Sequence, residues 1–188
     1  MEIIVELSAR HVHLSAEHVE ILFGKGAKLT VNRMISQPGQ YLSNEKVNII
    51  GSRSGINNVS VLGPERPATQ VEISKTDARA LGADPPLRES GDVAGSGAIR
   101  IEGPAGSIDI DEGVIVVKRH VHMTPEDAAE AGVADRQIVK MRVGGERALT
   151  FEEVVVRVSP KFALAMHIDI DEANAAGCTG KEKGELII

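Results

Sequence analysis

The tetrapeptide Arg-His-Val-His occurs twice, as Arg10-His11-Val12-His13 and as Arg119-His120-Val121-His122, and it holds four of the six histidines in the chain. Residues i and i+2 of a strand project from one face. Two imidazoles placed in that way form a chelating pair for zinc, which takes histidine nitrogen readily. The residues upstream, Ile3-Ile4-Val5 and Val114-Ile115-Val116-Val117, are β-branched and read as strand. A lone His-x-His is weak grounds for a metal, because strand histidines are commonly exposed or hydrogen-bonded. Here the pair recurs with its surroundings. Leu14-Ser15-Ala16-Glu17 matches Met123-Thr124-Pro125-Glu126, and both copies read as a strand end entering a capped helix, with Pro125 at the first helical position. The pattern calls for two metals, or for one site built by two halves. His18 has no counterpart in the second copy and reads as a solvated residue on a helix face.

The repeat reaches further. Val71 to Gly82 aligns with Met166 to Gly177, which sets Glu72 opposite His167. Each precedes an isoleucine on a strand that leads into a capped helix ending at glycine, so the two should hold equivalent places in two related barrels. The repeat thus nominates six metal ligands: His11, His13, Glu72, His120, His122 and His167. Six residues upstream of Glu72 and His167 stand matching cations, Arg66 and Lys161. An arginine so near a metal ligand suits a phosphate, since its planar fork reaches two oxygens at once.

These residues need a scaffold of strands. Short apolar runs recur at 47–50, 59–62, 71–73, 98–102, 107–110, 138–143, 149–151, 154–158 and 162–168, separated by glycine-rich turns. Helices are brief, near 15–23, 76–81, 124–131 and 171–176, most of them opening on Ser, Thr or Asp. The expected fold is mainly β, with two pseudo-symmetric β-barrels and short capping α-helices. One barrel is assigned to residues 1–9 and 118–188, and the other to residues 10–23 and 45–117. The first copy carries an insertion, 24–44, and its Gln37-Pro38-Gly39 turn is read as the tip of a lid hairpin over the active site.

Composition narrows the functions. The net charge of −6, three Phe, one Tyr and no Trp argue against nucleic acid, which needs cations and stacking surfaces. No apolar stretch is long enough to cross a bilayer, and no signal or transit segment is evident. The single cysteine, Cys178, cannot form an internal disulfide and is read as a free thiol rather than a nucleophile.

Taken together, these blocks resemble the phosphate propanoyltransferase family of zinc-dependent phosphotransacylases. The resemblance is carried by Ser8-Ala9-Arg10-His11-Val12-His13-Leu14, Leu62-Gly63-Pro64-Glu65-Arg66, Thr69-Gln70-Val71-Glu72-Ile73-Ser74, Arg88-Glu89-Ser90-Gly91-Asp92, Lys118-Arg119-His120-Val121-His122-Met123 and Ala165-Met166-His167-Ile168-Asp169, with Gln37-Pro38-Gly39. It implies reversible transfer of a short acyl group, acetyl or propanoyl, between coenzyme A and inorganic phosphate, in a fold of two β-barrels. It also implies two Zn2+ per chain. His11 and His13 would hold one, open to the coenzyme A sulfur, and Glu72, His120, His122 and His167 would hold the other. By the same resemblance Arg66 binds phosphate, and Ser90 donates a hydrogen bond to the phosphate or to the reacting carbonyl. Phosphate would attack directly, without an acyl-enzyme on Cys178. Contacts to coenzyme A are not assigned, although Arg33, Lys118 and Lys161 could meet its phosphates.

The chain starts almost at its first strand, Met1-Glu2-Ile3-Ile4-Val5, without the amphipathic segment that microcompartment members carry. The expectation is a cytoplasmic homodimer working beside acetate kinase, with no nucleic-acid or membrane partner. Two rival classes remain on residues alone. A dinuclear zinc hydrolase acting on a thioester or phosphoester would turn over without phosphate. A zinc-stabilised module would use all six ligands for folding and have no need of Arg66.

Overall fold

The computed structural model describes residues 1–188 and resolves the chain into two units, Met1–Ala9 with Lys118–Ile188, and Arg10–Val117. Each is built on a closed ring of six β-strands.

The discontinuous unit uses β1 (Glu2–Leu7), β10 (His120–Met123), β11 (Ile138–Val143), β12 (Leu149–Val158), β13 (Ala165–Ile168) and β14 (Lys183–Ile187), closed in the order β1-β13-β10-β12-β11-β14. Its core is Ile3, Val5, Val121, Met123, Met141, Val154, Val156, Met166, Ile168 and their neighbours. The continuous unit closes β9 (Ser107–Val117), β6 (Gln70–Glu72), β2 (His11–His13), β5 (Gly55–Gly63), β4 (Tyr41–Ile50) and β8 (Gly97–Glu102) into a ring through six pairings. Two further strands attach to it, β3 (Val31–Met34) on β4 and β7 (Leu87–Arg88) on β9.

The two rings share one pattern of strand directions. β1–β13 and β9–β6 are parallel, β13–β10 and β6–β2 antiparallel, and β10–β12 and β2–β5 parallel again. The remaining three pairings of each ring are antiparallel. The strand that leads into each His-x-His segment belongs to the other unit. β1 runs into β2 yet closes the barrel of β10, and β9 runs into β10 yet closes the barrel of β2.

The helices cap strand ends. They are α1 (Ala16–Phe23), α2 (Lys75–Leu81), α3 (Pro125–Ala131) and α4 (Ile170–Ala176). In α2, α3 and α4 the N-cap side chain accepts from the third helical N–H, while the carboxylate at that third position accepts from the N-cap N–H. This reciprocal box satisfies two otherwise orphaned donors. Each of these helices ends on a left-handed glycine, Gly82, Gly132 or Gly177. Helix α1 differs, as described below.

Several strands run longer than their apolar cores, β4, β5 and β9 among them, and two boundaries differ in kind. The runs at 149–151 and 154–158 are one strand, because Glu153 takes φ 54 and lets polar residues interrupt the pattern without ending it. Phe162, Ala163 and Leu164 lie before β13 rather than in it. Within the inserted segment, β3 is exposed throughout, and residues 41–44 run on as the first turn-side residues of β4.

Candidate metal centres

In the continuous unit, Val12 points into the core with no exposed surface, so His11 and His13 emerge together on the opposite face of β2. Strand β6 runs antiparallel beside it with Glu72 directly across from His11 and Gln70 across from His13. All four side chains are buried. Glu72 Oε2 lies 3.4 Å from His11 Nε2, and Glu72 Oε1 lies 3.9 Å from His13 Nε2. The two imidazoles meet edge to face with centroids 4.9 Å apart. His13 Nδ1 lies 3.2 Å from the Leu62 carbonyl. A proton on Nδ1 satisfies that carbonyl and turns the Nε2 lone pair toward Glu72, the arrangement metal-binding histidines adopt.

Electrostatics favour this form. Burial holds the His13 imidazolium well below its usual range, and the charges of His11 and Arg66 push the same way. Burial by itself would raise the Glu72 carboxyl, but the His11 ring, then His13 and last the Ser90 hydroxyl, outweigh it and keep the group ionised. A neutral imidazole and a carboxylate are what a divalent cation requires of its ligands. One ligand atom from each of His11, His13 and Glu72 can be chosen so that the three lie within 4.8 Å of one another. These residues fit a zinc ion.

The resemblance allots Glu72 to the second metal with the later histidines. The structure brings its carboxylate close to His11 and His13, because the antiparallel register of β2 and β6 sets Glu72 opposite His11.

Around Glu72 lies a hydrogen-bonded shell. Ser90 Oγ donates to Glu72 Oε1 at 2.8 Å and accepts from Gln70 Nε2 at 3.0 Å and Arg66 Nη1 at 3.3 Å. Gln70 Nε2 also donates to Glu72 Oε1, and Gln70 Oε1 accepts from the Gly91 N–H at 2.8 Å. A serine has one donor. Here it is given to Glu72, so Ser90 orients the carboxylate and receives Arg66. Gln70 escaped the sequence reading, although its spacing of two from Glu72 places both on one strand face. With 2% exposure and three hydrogen bonds, it is the hub of this shell.

In the discontinuous unit the same geometry recurs with a third histidine. Val121 is fully buried in the core, and His120 and His122 face away from it. On β13, His167 sits directly across from His120, as Glu72 sits across from His11. Ring centroids are 4.7 Å apart for His120 and His122, 5.2 Å for His120 and His167, and 4.8 Å for His122 and His167. His120 Nδ1 lies 2.8 Å from the Lys118 carbonyl, and His167 Nδ1 lies 3.7 Å from Glu6 Oε2 on the adjoining strand. Phe162 stacks on His122 at 4.0 Å. The ligating nitrogens of the three rings lie within 4.8 Å of one another. Three imidazoles, one set by the Lys118 carbonyl, one facing the Glu6 carboxylate and one stacked on Phe162, are a zinc donor set that leaves a fourth position open.

The structure thus gathers the six nominated ligands into two triads, one per unit, and joins Arg66 and Ser90 to the first. Gln37 is buried at the turn of the β3–β4 hairpin, with Gly39 at φ 75 beside Pro38. Cys178 is buried, and burial raises its thiol pKa, so it is a poor nucleophile. His18 is half-buried and hydrogen-bonded to Thr69 rather than solvated, because Thr69 reaches the first turn of α1. No helix is long and apolar enough to cross a membrane.

Residues 4–179 match the family model described as phosphate propanoyltransferase. The chain is 57% identical over 180 residues to a phosphate propanoyltransferase of Priestia megaterium, covering 96% of this chain and 83% of that protein. It is 54% identical over 175 residues to one of Thermotoga maritima, with 93% and 83% covered. Its identity is 52% over 183 residues to one of Listeria monocytogenes, with 97% and 86% covered.

Proposed function

Because this chain belongs to the phosphate propanoyltransferase family and is an acyltransferase, we propose that it moves a short acyl group reversibly between coenzyme A and inorganic phosphate, using two zinc ions, one held by each triad. The observation that carries the reading is Arg66, whose guanidinium is tied through the Ser90 hydroxyl to Glu72 of the first triad. A planar cation fixed beside a metal site has no task in a purely structural zinc module. It is what a phosphate acceptor requires.

His11, His13 and Glu72 would hold one zinc, and His120, His122 and His167 the other. Bound there, zinc supplies Lewis-acid polarisation of a carbonyl and stabilisation of a departing thiolate. The chain's own residues do the rest. Arg66 holds the phosphate dianion by two of its four oxygens and leaves another free to attack. That oxygen adds to the thioester carbon, the C–O bond forms as the C–S bond breaks, and coenzyme A leaves as its thiolate. Ser90 fixes the direction of the Glu72 carboxylate and of the arginine fork, so attack starts from a set geometry. Gln70 holds Ser90 and the Gly91 backbone in place. In the reverse direction the same fork receives the phosphate as it departs.

The test is thiol release from acetyl-CoA and propanoyl-CoA by purified protein, with and without phosphate, before and after zinc removal. Release that needs both phosphate and zinc, with a matching yield of acyl phosphate, supports the reading and ranks the acyl chains. Thiol release independent of phosphate would replace it with a thioester hydrolase.

A further inference from the structure

Helix α1 breaks the capping rule that the other three helices obey. At the third helical position α2, α3 and α4 carry Asp77, Asp127 and Glu172, each of which accepts from its own N-cap N–H. In α1 that position is His18. The N-cap hydroxyl still works in the usual way, since Ser15 Oγ accepts from the His18 N–H at 3.2 Å. The Ser15 N–H, however, has no carboxylate to meet. It donates to Thr69 Oγ1 at 3.0 Å, and that hydroxyl shares a hydrogen bond of 2.7 Å with His18 Nδ1. The box is completed by a residue 51 positions away.

Thr69 ends the segment Arg66-Pro67-Ala68-Thr69, and the other end is pinned to the same place. The Arg66 N–H donates to the Leu14 carbonyl at 2.8 Å. Four residues carrying the phosphate arginine are therefore laced at both ends to Leu14 and Ser15, immediately after His13. Thr69 is buried, so its hydroxyl has little competition from water. The internal repeat offers a control. With Glu72 set opposite His167, Thr69 aligns with Leu164, and with His11 set opposite His120, His18 aligns with Asp127. The second copy, which lacks Arg66, has neither partner of the link and closes its box on itself.

We propose that His18 and Thr69 are positioning residues, which replace a local capping box with a tie that holds the Arg66 segment against the first metal triad. Their work is to limit how far the guanidinium wanders from Ser90, and so to set the affinity for phosphate. The proposal rests on the phosphate-transfer reading above.

The test separates capping from positioning. His18→Asp restores a local box on Ser15, as Asp77 does for Ser74, while removing the tie to Thr69. Thr69→Val removes the tie from the other side, and Thr69→Ser keeps the hydroxyl. Expected for His18→Asp and Thr69→Val is a KM for phosphate raised by about tenfold or more, with the KM for acyl-CoA and the zinc content unchanged. Thr69→Ser should stay near wild type. Amide hydrogen exchange at Arg66 supplies a readout independent of turnover, and should speed up in the first two variants alone. Wild-type exchange at Arg66 in His18→Asp and Thr69→Val would overturn the proposal, as would equal rises in both KM values. Should wild-type thiol release ignore phosphate, the functional reading falls, and the exchange measurement still decides whether the tie holds the segment.

Discussion

Replacing Gln70 by leucine tests the shell around the first triad most directly. The side chain is 2% exposed and of similar bulk to leucine, so the change leaves no large cavity. What it removes is polar. The Gly91 N–H loses its acceptor, and Glu72 loses one of its two neutral donors. An orphaned buried N–H costs about 1–3 kcal/mol, and a lost hydrogen bond to a charged group costs about 1.5–3 kcal/mol. Ser90 keeps its bonds to Glu72 and Arg66, so its loss is small. The expected destabilisation of the continuous unit is about 3–4 kcal/mol. The chain has no Trp and one Tyr, and Tyr41 packs against the core of that unit. Tyrosine fluorescence during urea unfolding therefore reports this barrel alone, and linear extrapolation gives the change. A variant within 1 kcal/mol of wild type would show that Gln70 is a bystander and that the shell adds nothing to the unit's stability.

Three further outcomes follow from other parts of the molecule. His122→Ala should lower bound zinc from two per chain to one by elemental analysis, while the tyrosine-detected unfolding curve stays in place, since His122 belongs to the other barrel. Arg66→Lys keeps the charge but loses the fork, and should raise the KM for phosphate by about tenfold, against about a hundredfold or more for Arg66→Ala, in steady-state assays. Glu182 accepts from the Thr179 hydroxyl and from the N–H groups of Thr179, Gly180 and Lys181, and these bonds lower its pKa to about 2. A depressed folded pKa adds stability above the unfolded carboxylate value that fades as pH falls toward 2. Glu182→Gln should therefore melt lower than wild type at pH 7 by circular dichroism, and the gap should close between about pH 4 and pH 2.

The sequence was most readable where one physical rule acts locally. The four helices lie where capped starts and glycine ends place them, and the valine flanked by two histidines marks which face of each strand is core. The match of Glu72 with His167 reappears as identical cross-strand partners, His11 with Glu72 and His120 with His167. Less was legible where distant segments decide. Nothing near Glu72 says that its carboxylate turns to His11 and His13, because that follows from the register of a strand some sixty residues away. Gln70 looks like any polar residue until Ser90 and Gly91 arrive beside it. His18 reads as a surface residue because its partner Thr69 lies on another segment. The parallel pairing of β1 with β13 leaves no local mark at all, since parallel neighbours are joined only through long connections.

The exchange of leading strands between the barrels has a consequence for biosynthesis. All strands of the continuous unit have been made once residue 117 leaves the ribosome, so that barrel can close while synthesis continues. Strand β1 cannot. Its neighbours are β13 and β14, and its register with the latter, Glu2 opposite Glu185, needs nearly the last residues of the chain. At about 5–20 residues per second it waits roughly 10–35 s with both edges unpaired. Ile3 and Val5, buried in the finished barrel, stay exposed for that whole interval. The nascent chain therefore carries an unpaired, apolar β1 beside a barrel that can already be closed, until β13 and β14 have been made.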